Sequence, residues 1–194
     1  GVSKKHEMPP CFDKKEWPLR EMKVSEYRGL IFVTASEEIP PLSSSLGNVD
    51  IALNDWPLEH FVSVGRREYL VDCNWKFVMQ NTSETYHTAF VHRDSLGPMP
   101  SESIAKFLGI EPIGMWDAVH VPGDRSIVPL PGELAPFPEL STHASTYFVS
   151  MFPTLQLNVT RDCAWWMRVL PATVTTTRVT VGFLFPRATT TIPE

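Results

Sequence analysis

Residues 74–92 read NWKFVMQNTSETYHTAFVH and carry the clearest local pattern in the chain. Apolar and hydroxyl-bearing side chains recur there at helical spacing, which predicts an amphipathic helix from residue 74 to about residue 90. The members of this stripe are Trp75, Val78, Met79, Thr82 and Tyr86. At about 100° per residue, Asn81, Glu84 and His87 lie together on the opposite side. One side of the helix is thus suited to packing and the other to polar chemistry.

His87 and His92 are candidate metal ligands. On an ideal helix they would lie about 140° apart, so a shared metal would require the helix to loosen or end between them. Imidazole and carboxylate groups suit Fe(II), and two His with one carboxylate leave coordination positions open for dioxygen and substrate. The solvated face of an amphipathic helix is the commoner meaning of two histidines at this spacing. Spacing alone leaves both interpretations open.

The flanking sequence is rich in strand patterns. Runs of β-branched and aromatic residues predict strands at 27–34, 61–71 with a bulge at Gly65, 115–121, 146–159 with a break at Pro153, 163–170 and 175–185. A short helix is expected near 103–108. The short loop at 171–173 favours antiparallel neighbours. Segregated strands around one clear helix predict an α+β domain, not alternating βαβ units.

Composition narrows the class of protein. The 194 residues are 43% hydrophobic and 20% charged, which fits one soluble globular domain. The net charge of -5 gives no basic surface for nucleic acid, and no apolar run reaches the roughly 20 residues of a membrane span. We therefore expect a cytoplasmic protein with neither nucleic acid nor membrane as partner. Cys11, Cys73 and Cys163 are far apart and are expected to be reduced thiols.

The motif NWKFVMQNTSETYH, followed by His92, resembles a segment of Rieske non-haem iron oxygenases. That segment has Asn-Trp-Lys, Glu-Asn, an acidic residue, Tyr-His and a second His. Residues 26–33 (EYRGLIFV) resemble the strand after the Rieske domain, and residues 151–186 resemble the terminal sheet of the catalytic domain. The chain is identified as a fragment of the large (alpha) subunit of these aromatic-ring-hydroxylating enzymes. Gln80 departs from the pattern, since many relatives have Glu there.

The resemblance implies a role for each matching residue. His87 and His92 would be two ligands of a mononuclear Fe(II). Glu84 would occupy the acidic position that links this iron to the Rieske cluster of a neighbouring subunit, and Asn81 would be a polar residue beside the iron. The third ligand would be an Asp on a C-terminal helix, expected beyond residue 194. The later aspartates do not match its surroundings and receive no such role: Asp117, Asp124 and Asp162.

The implied fold is the helix-grip (START/Bet v1-like) type, an antiparallel sheet around helices, incomplete at both ends. Residues 1–24 would be a linker after a Rieske domain, and residues 25–194 the catalytic domain without its C-terminal helix. A Rieske [2Fe-2S] cluster needs paired Cys-x-His and Cys-x-x-His motifs, and neither spacing occurs in these 194 residues. The cluster is therefore expected upstream.

The implied activity is oxygenation with molecular oxygen. Electrons from NAD(P)H would arrive through a ferredoxin or reductase and the 2Fe-2S cluster, and a small aromatic or quaternary-amine substrate would be hydroxylated or demethylated. A homotrimer is expected, and this fragment alone is expected to be inactive. The alternative is a metal-free helix-grip module that binds small molecules.

Other conspicuous residues are expected to be structural. Isolated histidines are usually surface or packed groups, and the large side chains of the later strands suit a sheet core better than a substrate pocket. These residues are His6, His60, His120 and His143, and Phe148, Met151, Trp165 and Trp166.

Overall fold

The computed structural model describes residues 3–84, 86–96, 106–108, 115–122, 145–160, 163–187 and 190. The chain divides into two compact units, Gly1–Pro40 and Pro41–Glu194. The first unit contains 3₁₀ turns at Lys5–Glu7 and Lys14–Glu16 and an antiparallel hairpin of β1 (Lys23–Tyr27) and β2 (Leu30–Thr34). None of the described helices is long and apolar enough to cross a membrane.

The hairpin corrects the single strand predicted over 27–34. Tyr27 pairs with Leu30, and the two residues between them have positive φ, 49° at Arg28 and 80° at Gly29. Two successive left-handed residues are the geometry of a two-residue hairpin turn, which glycine favours. Two short strands therefore replace the expected one.

The second unit is built on one antiparallel sheet. Its seven strands lie in the order β3-β9-β8-β7-β6-β5-β4. The strands are β3 (Phe61–Val71), β4 (Lys106–Leu108), β5 (Trp116–Pro122), β6 (Ser145–Met151), β7 (Leu155–Val159), β8 (Ala164–Pro171) and β9 (Thr177–Pro186). The helices are α1 (Leu42–Leu46), α2 (Asp50–Leu53), α3 (Trp75–Thr82), α4 (Thr88–Val91) and α5 (Arg93–Leu96), with a 3₁₀ turn at Leu58–His60. The α+β class predicted from sequence is confirmed.

Most strand predictions are also confirmed. The register between β3 and β9 shifts between Ser63 and Gly65, where the bulge was expected, and the run 146–159 divides around Pro153 into β6 and β7. The helix expected near 103–108 is wrong for the described residues 106–108, which form β4. Phe107 stands opposite Val119 in the ladder with β5. Hydrogen bonds between the two strands therefore pair the backbone N–H and C=O groups that hydrogen bonds within a helix would otherwise pair.

The two faces of the sheet differ over its central strands. On β7, Gln156 and Asn158 point to one face, which we call the α3 face because Gln156 bonds to α3. Leu157 points to the other, which we call the apolar face. Cross-strand pairing extends both sets. The α3 face continues through Ser150, Asp117, Phe148, Trp165, Met167, Val179 and Val181, and the apolar face through Val149, Ala118, Trp166 and Gly182.

The segment 42–58 lies against the apolar face. Trp56 contacts the Tyr147 ring edge-on at 5.3 Å, and its indole nitrogen donates a 2.7 Å hydrogen bond to Thr160 O. Leu53 and Leu157 are fully buried. This layer is the main apolar core of the second unit.

The residues expected to be structural are distributed over both faces. Trp165 meets Phe148 edge-on at 6.4 Å on the α3 face, whereas Trp166 lies over Gly182 on the apolar face. A Cβ at Gly182 would come within 2.2 Å of the Trp166 ring. His120 stacks on Tyr147 at 4.5 Å, which agrees with a packed histidine.

Candidate active site

The helix α3 positions the candidate site, and it begins at a capped residue. Asn74 accepts a hydrogen bond from Lys76 N (3.1 Å) and donates one to Val174 O (2.8 Å) in the β8–β9 turn. A side chain that caps the helix and also binds the sheet fixes both where the helix starts and where it points. The Asn at the head of the NWK motif thus has a local structural role.

The helix ends at Thr82, eight residues earlier than predicted from the stripe. The hydroxyls of Thr82 and Ser83 donate to Met79 O at 3.0 and 3.3 Å, and Ser83 N donates to Gln80 O. Such side-chain bonds compete with continued helix, and Ser83 takes a non-helical backbone conformation. Tyr86, assigned to the stripe, is consequently 80% exposed.

A side chain from strand β7 forms hydrogen bonds with the C-terminal end of α3. Gln156 Nε2 donates to Val78 O (3.2 Å) and Met79 O (3.0 Å), and it also contacts Thr82 Oγ1. Carbonyls in the last turn of a helix lack partners within the helix, so an amide donor from the sheet satisfies them. Gln156 is fully buried.

A second group of polar contacts surrounds Ser83. Its hydroxyl lies 3.2 Å from both carboxylate oxygens of Asp117 and 3.3 Å from Ser150 Oγ. Burial raises the pKa of Asp117 above its ordinary value, although hydrogen bonds from Ser83 and Ser150 oppose that rise. Asp117 therefore holds the residue that immediately precedes Glu84.

Glu84 and the two histidines come together just after the helix end. Glu84 contacts His87 Nδ1 through one carboxylate oxygen and accepts a 3.2 Å hydrogen bond from His87 N through the other. The rings of His87 and His92 have centroids 5.5 Å apart at an interplanar angle of 70°. The side chains of His87 and Glu84 are 21% and 37% exposed. The break in the helix, on which a shared metal depended, therefore occurs.

The Glu84–His87 contact favours one tautomer of the neutral imidazole. Burial raises the pKa of Glu84, but hydrogen bonds from His87, and the charge of that imidazole when it is protonated, outweigh burial and hold the pKa of Glu84 below its ordinary value. An ionised Glu84 accepts the Nδ1 proton of His87, which leaves Nε2 unprotonated in the neutral ring. This is the tautomer with which histidine binds a metal while a carboxylate orients it.

The role of the two imidazoles as ligands of one metal ion stays a prediction. Their ring centroids lie 5.5 Å apart, which brings the two side chains into one neighbourhood. Within the described residues, no group of three or more His, Cys, Asp or Glu side chains is arranged to hold a metal. A third ligand, like the iron itself, stays a prediction.

Asn81 lies on α3 and is exposed. It lines a cavity together with Thr82 and Gln156. The expectation that Asn81 stands beside an iron stays a prediction.

Sequence reasoning missed Gln156, Ser150 and Asp117. In β7, Gln156 alternates with Leu155 and Leu157, a pattern that ordinarily marks a solvent-facing side chain. Only the placement of α3 over that face buries it. Asp117 carried no signal beyond being a polar residue in a strand, and its bond to Ser83 supplies the role that sequence did not assign.

Comparison with known proteins agrees with this architecture. Residues 58–194 match the family model described as ring hydroxylating alpha subunit (catalytic domain). The chain belongs to this family. The matched span includes α3, the histidine pair and the whole sheet. The earlier resemblance to Rieske oxygenases is thereby confirmed.

Individual relatives show how far the similarity reaches. The chain is 34% identical over 92 residues to the anthranilate 1,2-dioxygenase large subunit of Burkholderia cepacia, covering 44% of this chain and 20% of that one. It is 28% identical over 90 residues to the glycine betaine monooxygenase oxygenase subunit of Pseudomonas aeruginosa, covering 46% and 21%. The fold is similar to that of a quaternary ammonium Rieske monooxygenase, with a TM-score of 0.75, 17% identity and coverage of 97% of this chain and 48% of that one. The chain thus spans about half of that solved chain, and its matches span about a fifth of those two relatives.

Proposed function

We propose that this chain forms the mononuclear iron domain of a Rieske-type oxygenase that hydroxylates or demethylates a small organic molecule. The observation that carries the proposal is the pair His87 and His92, with ring centroids 5.5 Å apart beyond the end of α3 and with Glu84 on Nδ1 of His87. Bound Fe(II) would supply the open coordination positions at which dioxygen is activated.

The protein residues would perform the binding and orientation. His87 and His92 would each give one ring nitrogen to the ion. Glu84 would keep His87 in the required tautomer and would also link this site to the Rieske cluster of a neighbouring subunit, while Asn81 would present an amide beside the iron. The ionised state of Glu84, with its lowered pKa, supports the orienting role.

The remaining parts of the enzyme follow from the family. An Asp on a later helix would complete the ligand set, and that helix would close a helix-grip fold around the sheet. A Rieske domain would precede a linker at residues 1–24, with residues 25–194 forming the catalytic domain. Electrons would come from NAD(P)H through a ferredoxin or reductase, and a cytoplasmic homotrimer would bring the two centres of neighbouring subunits together.

The alternative is a metal-free module that binds small molecules. This alternative is favoured by a cavity of about 460 Å³ between α3 and the sheet. Among the described residues, no group of three or more possible ligands accompanies that cavity. The two proposals differ in whether the full-length gene product holds iron.

Iron content therefore tests the proposal. The gene product, expressed with iron and purified anaerobically, should hold close to one mononuclear iron per chain in addition to any cluster iron. His87→Ala should lose the mononuclear iron, because two remaining protein ligands hold a labile divalent ion poorly. His60→Ala is the matched control, since His60 is an exposed histidine in a 3₁₀ turn outside the site. Absence of mononuclear iron from the parent protein would leave the metal-free module, whereas equal loss in both variants would contradict the role of His87 as a ligand.

A further inference from the structure

Two strands of the sheet hold the hydroxyl of Ser83. This hydroxyl lies 3.2 Å from both carboxylate oxygens of Asp117 on β5 and 3.3 Å from Ser150 Oγ on β6. Asp117 and Ser150 stand opposite each other in the ladder between these strands, so the sheet fixes their side chains as neighbours. Ser150 is buried, and Asp117 and Ser83 are half-buried. Ser83 is therefore bonded to groups whose own positions are set by β5 and β6.

The contact between Asp117 and Ser83 can form in either protonation state of the carboxyl group. An ionised Asp117 accepts the hydroxyl proton of Ser83 in a charge-assisted hydrogen bond. A protonated Asp117 donates to Ser83 Oγ instead, which leaves the hydroxyl proton of Ser83 for Met79 O at 3.3 Å. The link from the sheet to Ser83 is thus available in both states.

Ser83 is the residue at which the chain leaves α3. Its backbone has φ −82° and ψ 5° and is no longer helical, and the bonds from Gln156 to the helix end at Thr82. The contact with Asp117 holds the chain one residue further along, immediately before Glu84. The direction in which the chain enters Glu84 therefore depends on this contact.

Glu84 needs a well-defined position because its carboxylate makes a two-point contact with His87. One oxygen contacts Nδ1, and the other accepts the backbone N–H at 3.2 Å. The second bond is already at the long end of the normal range, so moving the carboxylate about 0.5 Å away would break it. A loosened chain at Ser83 would therefore weaken the contact between Glu84 and His87.

We propose that Asp117 is a positioning residue, which acts through Ser83 to keep the Glu84 carboxylate on His87. The consequence for metal binding rests on the proposed function, in which Glu84 orients His87 toward iron. The contact itself is measurable without iron, because it joins two residues of this chain.

Amide hydrogen exchange at His87 measures the contact, since this N–H is bonded to Glu84. The full-length gene product is first treated with a chelator, so that the result does not depend on iron, and single amides are resolved by mass spectrometry. Asp117→Leu has a similar volume and no polar atom, and it should speed exchange about threefold to tenfold, the factor expected for one lost hydrogen bond. Asp117→Asn can still bond to Ser83 and should stay within about twofold of the parent. Asp72→Leu, at an exposed aspartate before α3, is the control and should leave the exchange unchanged.

A double substitution separates positioning from general loosening of the fold. Glu84→Ala removes the acceptor of the His87 N–H and should itself speed the exchange. If Asp117 acts through Glu84, Asp117→Leu should add nothing in the Glu84→Ala background. Ser83→Ala removes the same link from the other side and should reproduce both results, which keeps the test available if Asp117→Leu does not fold. Unchanged exchange at His87 in Ser83→Ala, a further increase in the Glu84→Ala background, or an equal increase at the amides of β8 would overturn the proposal.

The affinity for Fe(II), measured on the same variants by competition with a chelator, separates this inference from the proposed function. Glu84→Ala should lower the affinity about tenfold or more, Asp117→Leu by a smaller factor, and the double variant by no more than Glu84→Ala alone. A parent protein that binds no mononuclear iron would contradict the proposed function and leave the exchange result standing. A parent protein that binds iron, with His87 exchange unchanged by both Asp117→Leu and Ser83→Ala, would contradict the positioning role alone.

Discussion

The two faces of the central sheet come from alternate residues of the same strands, yet they are buried in different ways. On β7, Leu157 joins Val149 and Ala118 in an apolar layer, all of them fully buried. Gln156, also fully buried, bonds instead to the end of α3. Leu157 and Gln156 are therefore equally buried, but Leu157 is buried in apolar packing whereas Gln156 is buried in hydrogen bonds. The apolar face stabilises the unit, and the α3 face orients the site.

The largest expected loss of unfolding free energy comes from a substitution on the apolar face. Leu157→Ala should lower the free energy of unfolding by about 2–5 kcal/mol, because it removes buried methyl groups and leaves a cavity. Urea denaturation followed by circular dichroism measures the change. Leu70→Ala, at a leucine that is 66% exposed, is the control and should cost far less. Equal losses in the two variants would show that the apolar face is not the stabilising layer.

The next largest loss of stability is expected from adding a side-chain atom to the apolar face instead of removing one. Gly182→Ala places a methyl group against the Trp166 ring and should cost about 1–3 kcal/mol of unfolding free energy. Gly65→Ala is the matched control, since a Cβ there meets no atom within 4 Å. Thermal denaturation of the pair measures the difference. Tolerance of alanine at Gly182 would mean that the indole can move away at little cost.

A smaller loss is expected on the α3 face. Ser83→Ala removes the hydroxyl that bonds to Asp117 and Met79 O, and should cost about 0.5–1.5 kcal/mol of unfolding free energy. Its main effect should be local, with faster amide hydrogen exchange at His87, whose N–H is bonded to Glu84. The exposed Ser63→Ala is the control. Unchanged exchange at His87 would indicate that Ser83 does not order the site.

The smallest effect concerns the charge of Asp117. Because its pKa is raised in the folded protein, the ionised carboxylate is less favourable there than in the unfolded chain. This contribution is absent below the ordinary Asp pKa of about 3.9 and grows as the pH rises through the raised value. Asp117→Asn should therefore gain stability relative to the parent between about pH 3 and pH 7. Urea denaturation across that range checks it, and a constant difference would contradict the raised pKa.

Much of the fold was predictable from local sequence. The span of β3, the bulge at Gly65 and the break at Pro153 follow from strand patterns and turn residues, whose preferences act over a few residues. The Arg28–Gly29 turn was missed although glycine marked it, because the apolar run through it resembled one strand. The strand at 106–108 was missed because it depends on pairing with β5.

The candidate site was partly predictable in the same way. The motif of residues 74–92 identified Glu84, His87 and His92, and the structure brings these three together. Their roles at an iron stay predictions. The end of α3 at Thr82 was not visible in the stripe, since Thr82 itself fits a helical spacing and is half-buried there.

The sequence by itself determined the α+β class, the family and the residues that carry polar chemistry, because periodicity, turn residues and motif spacing are local properties. The tertiary structure decided which polar residues are buried and what they hold. Gln156 and Asp117 look like solvent-facing strand residues until α3 lies over them, and only then does one satisfy helix carbonyls and the other bind Ser83. Burial and hydrogen-bond partners depend on residues about 35 to 80 positions away in the chain, which no local pattern encodes.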